Sequence, residues 1–178
     1  MMLTHKILAV DQLSANVIEQ MMALMDCYYG NVRRDIFMRD LALKQGVLLV
    51  YNQTQKLCGF TTYAFFTTEF RGRTVAVLYS GDTVIEARHW GSLGTTRLFV
   101  ALLTDCLQRT EHDLYWFLLS KGTRTYQLLP LYFQEFYPHY EGATPENEQA
   151  LIDYLAELQF GEHYKQETGI VRFGVDGD

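Results

Sequence analysis

The chain opens with a short apolar run, His5 to Val10, of strand length. Beyond Ser14 the spacing changes. Val17, Ile18, Met21, Met25 and Tyr28 recur at intervals of three and four, which puts them on one face of a helix capped by Ser14. A weaker apolar face, Ile36, Phe37, Leu41 and Leu43, predicts a second helix within Asn31 to Lys44. The period then shortens to that of strands. Gly46 to Tyr51, Leu57 to Thr67 and Thr74 to Ile85 are rich in β-branched and aromatic residues, with turn-like stretches at 52–56 and 70–73 between them. Three such runs joined by two short turns predict an antiparallel meander.

After Gly91 the helical period returns, with Leu93, Leu98, Phe99, Leu102, Leu103 and Cys106 on one face. Leu114 to Leu119 is a continuous apolar run, which predicts a strand buried on both sides. Thr123 or Thr125 opens a short helix holding Leu128, Leu129, Leu131 and Tyr132. Thr144, Pro145 and Glu146 predict a helix start, a capping Thr followed by Pro in the first turn, and that helix runs to about Leu158. Gly169 to Phe173 is the last predicted strand. The spacing from Val75–Ser80 through the 93–106 helix to Leu114–Leu119 suits a right-handed crossover. It predicts that the two strands are parallel neighbours diverging at their C-terminal ends.

A length of 178 residues fits a single domain, 1–178, with a core over about 5–140 and a divergent helix and strand over 141–178. The chain is 48% apolar and 14% aromatic, enough to build a core, and its formal charge is −6. An acidic balance argues against nucleic acid as the partner. No stretch approaches the roughly 20 apolar residues that span a bilayer, and 1–10 lacks a signal-peptide run. No membrane partner and a cytoplasmic location are therefore expected. Cys27, Cys58 and Cys106 form no CxxC pair, and the five histidines show no metal spacing, so no metal is expected. Ser120 with His112 or His89 lacks the G-x-S-x-G elbow of a hydrolase.

Two segments carry chemistry. The first is the junction between the third meander strand and the long helix, from Ser80 through Asp82, Val84, Arg88, His89, Trp90, Gly91, Ser92, Gly94 and Thr95 to Leu98. Free N–H groups and the positive end of the helix dipole favour an anion at such a helix start. Glycine lets the backbone come close to it. The second segment is Thr125 to Pro138, with Leu131-Tyr132 at its centre.

The element order, strand, two helices, three strands, helix, strand, helix, resembles the GNAT family of N-acetyltransferases over about residues 5–140. In that family the junction reads Q/R-x-x-G-x-G/A and holds the pyrophosphate of coenzyme A. Arg88-x-x-Gly91 matches its first half, whereas Leu93 stands at the second glycine and Gly94 falls one residue late. The second segment is similar to the family's N-x-x-A-x-x-L-Y-x-x-x-G-F, with Thr125 for Asn and Leu128 for Ala. The resemblance implies an α/β (α+β) fold with a mixed, mostly antiparallel central sheet and helices on both faces. It implies acetyl-CoA or another acyl-CoA as co-substrate, and a small-molecule or peptide amine as acceptor. Val84, Arg88, His89, Trp90, Gly91, Ser92, Gly94, Thr95 and Thr125 would bind the cofactor. Tyr132 would protonate the departing thiolate, and a carboxylate of the meander would serve as base. Asp82 is the best placed of Glu69, Asp82 and Glu86, because a carboxylate inside an apolar strand needs a partner. Arg97 and His89 would add positive charge to the loop.

Two alternatives stay open. One is a long-chain acyl transferase of the acyl-amino-acid or acyl-homoserine-lactone synthase type. The other is a non-catalytic acyl-CoA-binding module. The tail helix has two roles open to it, cover over the acceptor site or a contact within a homodimer.

Overall fold

A computed structural model describes residues 3–89, 93–120, 126–127, 129–130 and 133–173, with the backbone alone for 93–95. The chain divides into two units, Met1–Leu119 and Ser120–Asp178. In the first, β1 (Thr4–Ala9) leads through a 3-10 turn into α1 (Ala15–Tyr29) and α2 (Arg34–Ala42). There follow β2 (Gly46–Tyr51), β3 (Leu57–Phe70), β4 (Arg73–Ile85), α3 (Leu93–Gln108) and β5 (Leu114–Leu118). Ser14 caps α1 as its chemistry predicts: its Oγ accepts from the Val17 N–H at 3.3 Å. The β2–β3 turn closes on Asn52, whose Oδ1 accepts from the N–H groups of Thr54 and Lys56.

The sheet order is β1-β2-β3-β4-β5. Every pairing is antiparallel except the last, β4 with β5. Successive side chains of a strand point to opposite faces, and β2 uses both. Leu48 and Val50 join Tyr63, Phe65, Ala76 and Leu78 beneath Leu98, Leu102 and Cys106 of α3. Val47 and Leu49 join Phe60 and Val84 beneath Met21, Phe37 and Leu41 of α1 and α2. Helices thus cover both faces of a mixed, mostly antiparallel sheet. Among the described residues no helix is long and apolar enough to cross a membrane.

Three expectations need correction. Leu114–Leu118 is half-buried throughout rather than buried on both sides, because β5 is the edge of the sheet. In the second unit α4 (Glu146–Phe160) has Pro145, not Thr144, at its N-cap, with no side-chain cap bond. The last predicted strand is reduced to β7 (Ile170–Val171), paired with β6 (Tyr164–Lys165). This unit is tied by Asp153, which accepts from Tyr164 Oη at 2.5 Å, Gln149 Nε2 at 2.8 Å and Gln166 Nε2 at 3.0 Å. Burial alone would raise its carboxyl, and the three donors outweigh that and hold it below the usual range.

Gly46, where β2 begins, has no room for a side chain. A Cβ there would lie 2.5 Å from Tyr63 Oη and 2.8 Å from the Leu8 carbonyl oxygen. Backbone cannot yield cheaply, so Gly46→Ala is expected to destabilise the fold by about 1–3 kcal/mol. Urea unfolding measures this, and an unchanged midpoint would contradict the packing.

Candidate active site

β4 outruns its parallel partner. Pairing with β5 extends from Ala76–Leu114 to Ser80–Leu118 and ends there, while β4 continues against β3 to Ile85. Trp116 Nε1 donates to Ser80 Oγ at 3.0 Å, and Phe99 of α3 stacks on the same indole at 5.7 Å, fixing the last paired residues. At this same residue the β3–β4 ladder slips. Thr61 faces Thr83 and Tyr63 faces Ser80, so Gly81 and Asp82 together oppose Thr62. This is a β-bulge, which leaves a residue out of the ladder and re-aims its neighbours.

Asp82 sits in the bulge with charged groups around it. Burial raises its carboxyl above the usual range, the Lys44 ammonium opposes this, and Asp40 adds to it. The Tyr79 hydroxyl is pushed up to about 12, by burial first and then by Asp82 and Asp40. Burial and Asp82 likewise raise Tyr29. The Lys44 Nζ lies 3.5 Å from the Asp40 carbonyl oxygen and 5.5 Å from the centre of the Tyr79 ring. Tyr29 Oη donates to the Thr83 carbonyl at 3.3 Å, and the Thr61 and Thr83 hydroxyls meet at 2.7 Å. Two carboxylates, an ammonium and two phenols thus converge from α1, the end of α2 and β4. A carboxyl so placed holds its proton more tightly than one in water.

The chain then enters the 3-10 turn Ala87–His89. Tyr28 Oη accepts from the Ala87 N–H at 2.8 Å, which anchors the turn to α1. Arg88 is exposed, but its guanidinium is held by Glu86, with Nε 2.7 Å from Oε2. His89 is buried, at 3% exposed, and its Nε2 lies 3.9 Å from Glu86 Oε2. The Val84 side chain is buried under α1 and α2, so only its backbone is free to meet a ligand. Gly94 and Thr95 lie in the first turn of α3. Trp90, Gly91, Ser92, Thr125 and Tyr132 lie outside the described residues.

Of the three carboxylates weighed as base, Asp82 alone stands in the bulge. Glu69 accepts from Thr74 at the far end of the β3–β4 hairpin, and Glu86 is bound to Arg88.

No family model matches the chain, and no curated protein does. Solved structures do. A ribosomal-protein-alanine N-acetyltransferase from Brucella melitensis biovar Abortus 2308 superposes with a TM-score of 0.56 at 12% identity, over 80% of this chain and 99% of that one. An aminoglycoside 6′-N-acetyltransferase from Acinetobacter baumannii gives 0.56 at 12% identity, over 81% and 99%. A third acetyltransferase, bound to a bisubstrate analogue built on CoA, gives 0.55 at 11% identity, over 80% and 99%. The chain has the GNAT fold. Within that fold the β4–β5 pairing that stops at Ser80 and the Gly81–Asp82 bulge are the features that the sequence pattern anticipated only in part. Lys44, Asp40, Thr62, Tyr29 and Tyr79 were not anticipated. Gly81 inside a strand pattern is the one signal for them, since such a glycine marks a bulge or a close approach.

Proposed function

We propose that this chain is an acyl-CoA-dependent N-acyltransferase that passes an acyl group, most simply acetyl, to a small-molecule amine by direct attack on the thioester. The observation that carries the reading is the coincidence at Ser80: the pairing of β4 with β5 ends where the bulge bearing Asp82 begins. The end of pairing leaves an edge of β4 beside the thioester, and an N–H freed by the bulge polarises its carbonyl oxygen. Asp82 takes a proton from the amine. The nitrogen lone pair forms the new C–N bond, the C–S bond breaks, and Tyr132 returns a proton to the sulfur. The start of α3, with Gly91 before it, holds the pyrophosphate on backbone N–H groups. The GNAT fold and the CoA-derived ligand of one structural neighbour support this reading. Peptide amines stay within the acceptor class.

Gly91→Val places a branched Cβ where the pyrophosphate would lie. It is expected to weaken acetyl-CoA binding at least about tenfold, or 1.4 kcal/mol, by calorimetry, with Gly142→Val as a control in an open loop. Equal affinity for wild type and Gly91→Val would remove the loop from the site. Binding without turnover would favour a non-catalytic module.

A further inference from the structure

Thr62 is 0% exposed, and its hydroxyl oxygen has no hydrogen-bond partner among the described residues. Most buried hydroxyls are satisfied, and an exception calls for a reason such as a functional role or an ordered water or ion. This one points at the bulge. A Cβ built on Gly81 would stand 2.6 Å from Thr62 Oγ1 and 2.6 Å from Lys44 Cε. The Thr62 hydroxyl and the end of the Lys44 side chain thus both border the space beside Gly81. Lysine carries many rotamers, and Lys44 is only half-buried, so its end can shift in a way that a core residue cannot.

We infer that the Thr62 hydroxyl and the Lys44 ammonium form a two-donor subsite for an oxygen atom of the acceptor, so that the acceptor is an amine bearing a carboxylate or carbonyl beside it. The inference rests on the acyltransferase reading and names the acceptor class within it. Lys44 supplies donors only, and a threonine hydroxyl with no other partner among the described residues has its proton to give. Asp82 and Asp40 face the same ground with the opposite charge. An amino acid or the first residue of a peptide, in which three bonds separate the amine from the oxygen, carries both groups that this pairing would meet. It also links recognition to chemistry. Lys44 is the group that holds the Asp82 carboxyl down. When an acceptor oxygen engages the ammonium, Asp82 gains proton affinity at the moment when it must take the amine's proton.

The test compares kcat/KM with acetyl-CoA for L-alanine, L-alaninamide and sec-butylamine, the last lacking the oxygen. Intrinsic amine reactivity is common to every protein variant, so the change in ratio is the readout. A site built to bond an oxygen discriminates strongly against an analogue without one. Wild type is expected to prefer an oxygen-bearing amine at least tenfold. Thr62→Val and Lys44→Met should each bring the ratio within about threefold, Lys44→Met acting most on L-alanine, and Thr62→Ser should restore it. A ratio unmoved in both variants, or a wild-type preference for sec-butylamine, overturns the inference. Calorimetry with the three amines on CoA-loaded protein reads the same preference without turnover: oxygen-dependent binding lost in Thr62→Val supports it, and equal or no binding overturns it. Acetyl-CoA binding is measured separately. If it persists while the oxygen preference is absent, the inference fails and the acyltransferase reading stands; if it is absent, that reading fails.

Discussion

Asp82→Asn is expected to lower turnover by about 10²-fold or more while making the protein more stable at neutral pH. The two effects share one cause. Burial and Asp40 raise the folded-state pKa of Asp82 above its unfolded value, against the pull of Lys44. Between those two values the native state holds a proton that the unfolded chain has released. The group's stabilising contribution is therefore complete below the unfolded pKa and is lost as pH rises through the folded one. Asparagine carries no charge to bury, so the variant escapes that loss. The groups facing Asp82 are Lys44 and Asp40 near the end of α2, Tyr29 of α1 and Tyr79 of β4. In wild type the acid limb of kcat/KM against pH should track deprotonation of Asp82, and in Asp82→Asn that limb should disappear. Thermal unfolding at pH 7 and a pH–rate profile check both halves. Turnover within twofold of wild type, with the acid limb intact, would assign the base elsewhere.

Tyr132→Phe is the second large effect. A phenol of ordinary pKa near 10 can give its proton to a thiolate of pKa about 8.5 that forms beside it. Its loss should cut kcat about 10²-fold or more and leave acetyl-CoA affinity nearly unchanged, because the hydroxyl acts on the leaving group and not on the bound ground state. A core aromatic would behave differently, costing stability and little turnover. Kinetics within twofold of wild type would take Tyr132 out of the mechanism.

The meander, the two opening helices and the crossover were legible because each buries a face with its own period. Val47 and Leu49 pack on one side of the sheet and Leu48 and Val50 on the other, an arrangement that an unbroken apolar run encodes directly. The parallel β4–β5 pair followed from chain handedness. Burial of β5 was misjudged, since an apolar run does not say whether another strand lies beyond it. Asp82 stood out as a carboxylate in an apolar strand. Its neighbours did not: Lys44 follows α2 and Thr62 sits among other threonines of β3, and only the bulge brings them to Gly81. The burial of His89 was not legible either, because it stands in a loop beside the exposed Arg88.

Acyl transfer at the bulge is tested most directly by thiol release from acetyl-CoA. With wild-type protein and L-alaninamide, free CoA should appear at a rate that saturates in both substrates. Mass spectrometry should find one N-acetylated amine for each thiol released, and release without the amine should stay near background. Asp82→Asn should suppress the signal about 10²-fold or more. Thiol release no faster than the protein-free reaction, for oxygen-bearing and simple amines alike, would contradict acyl transfer by this chain.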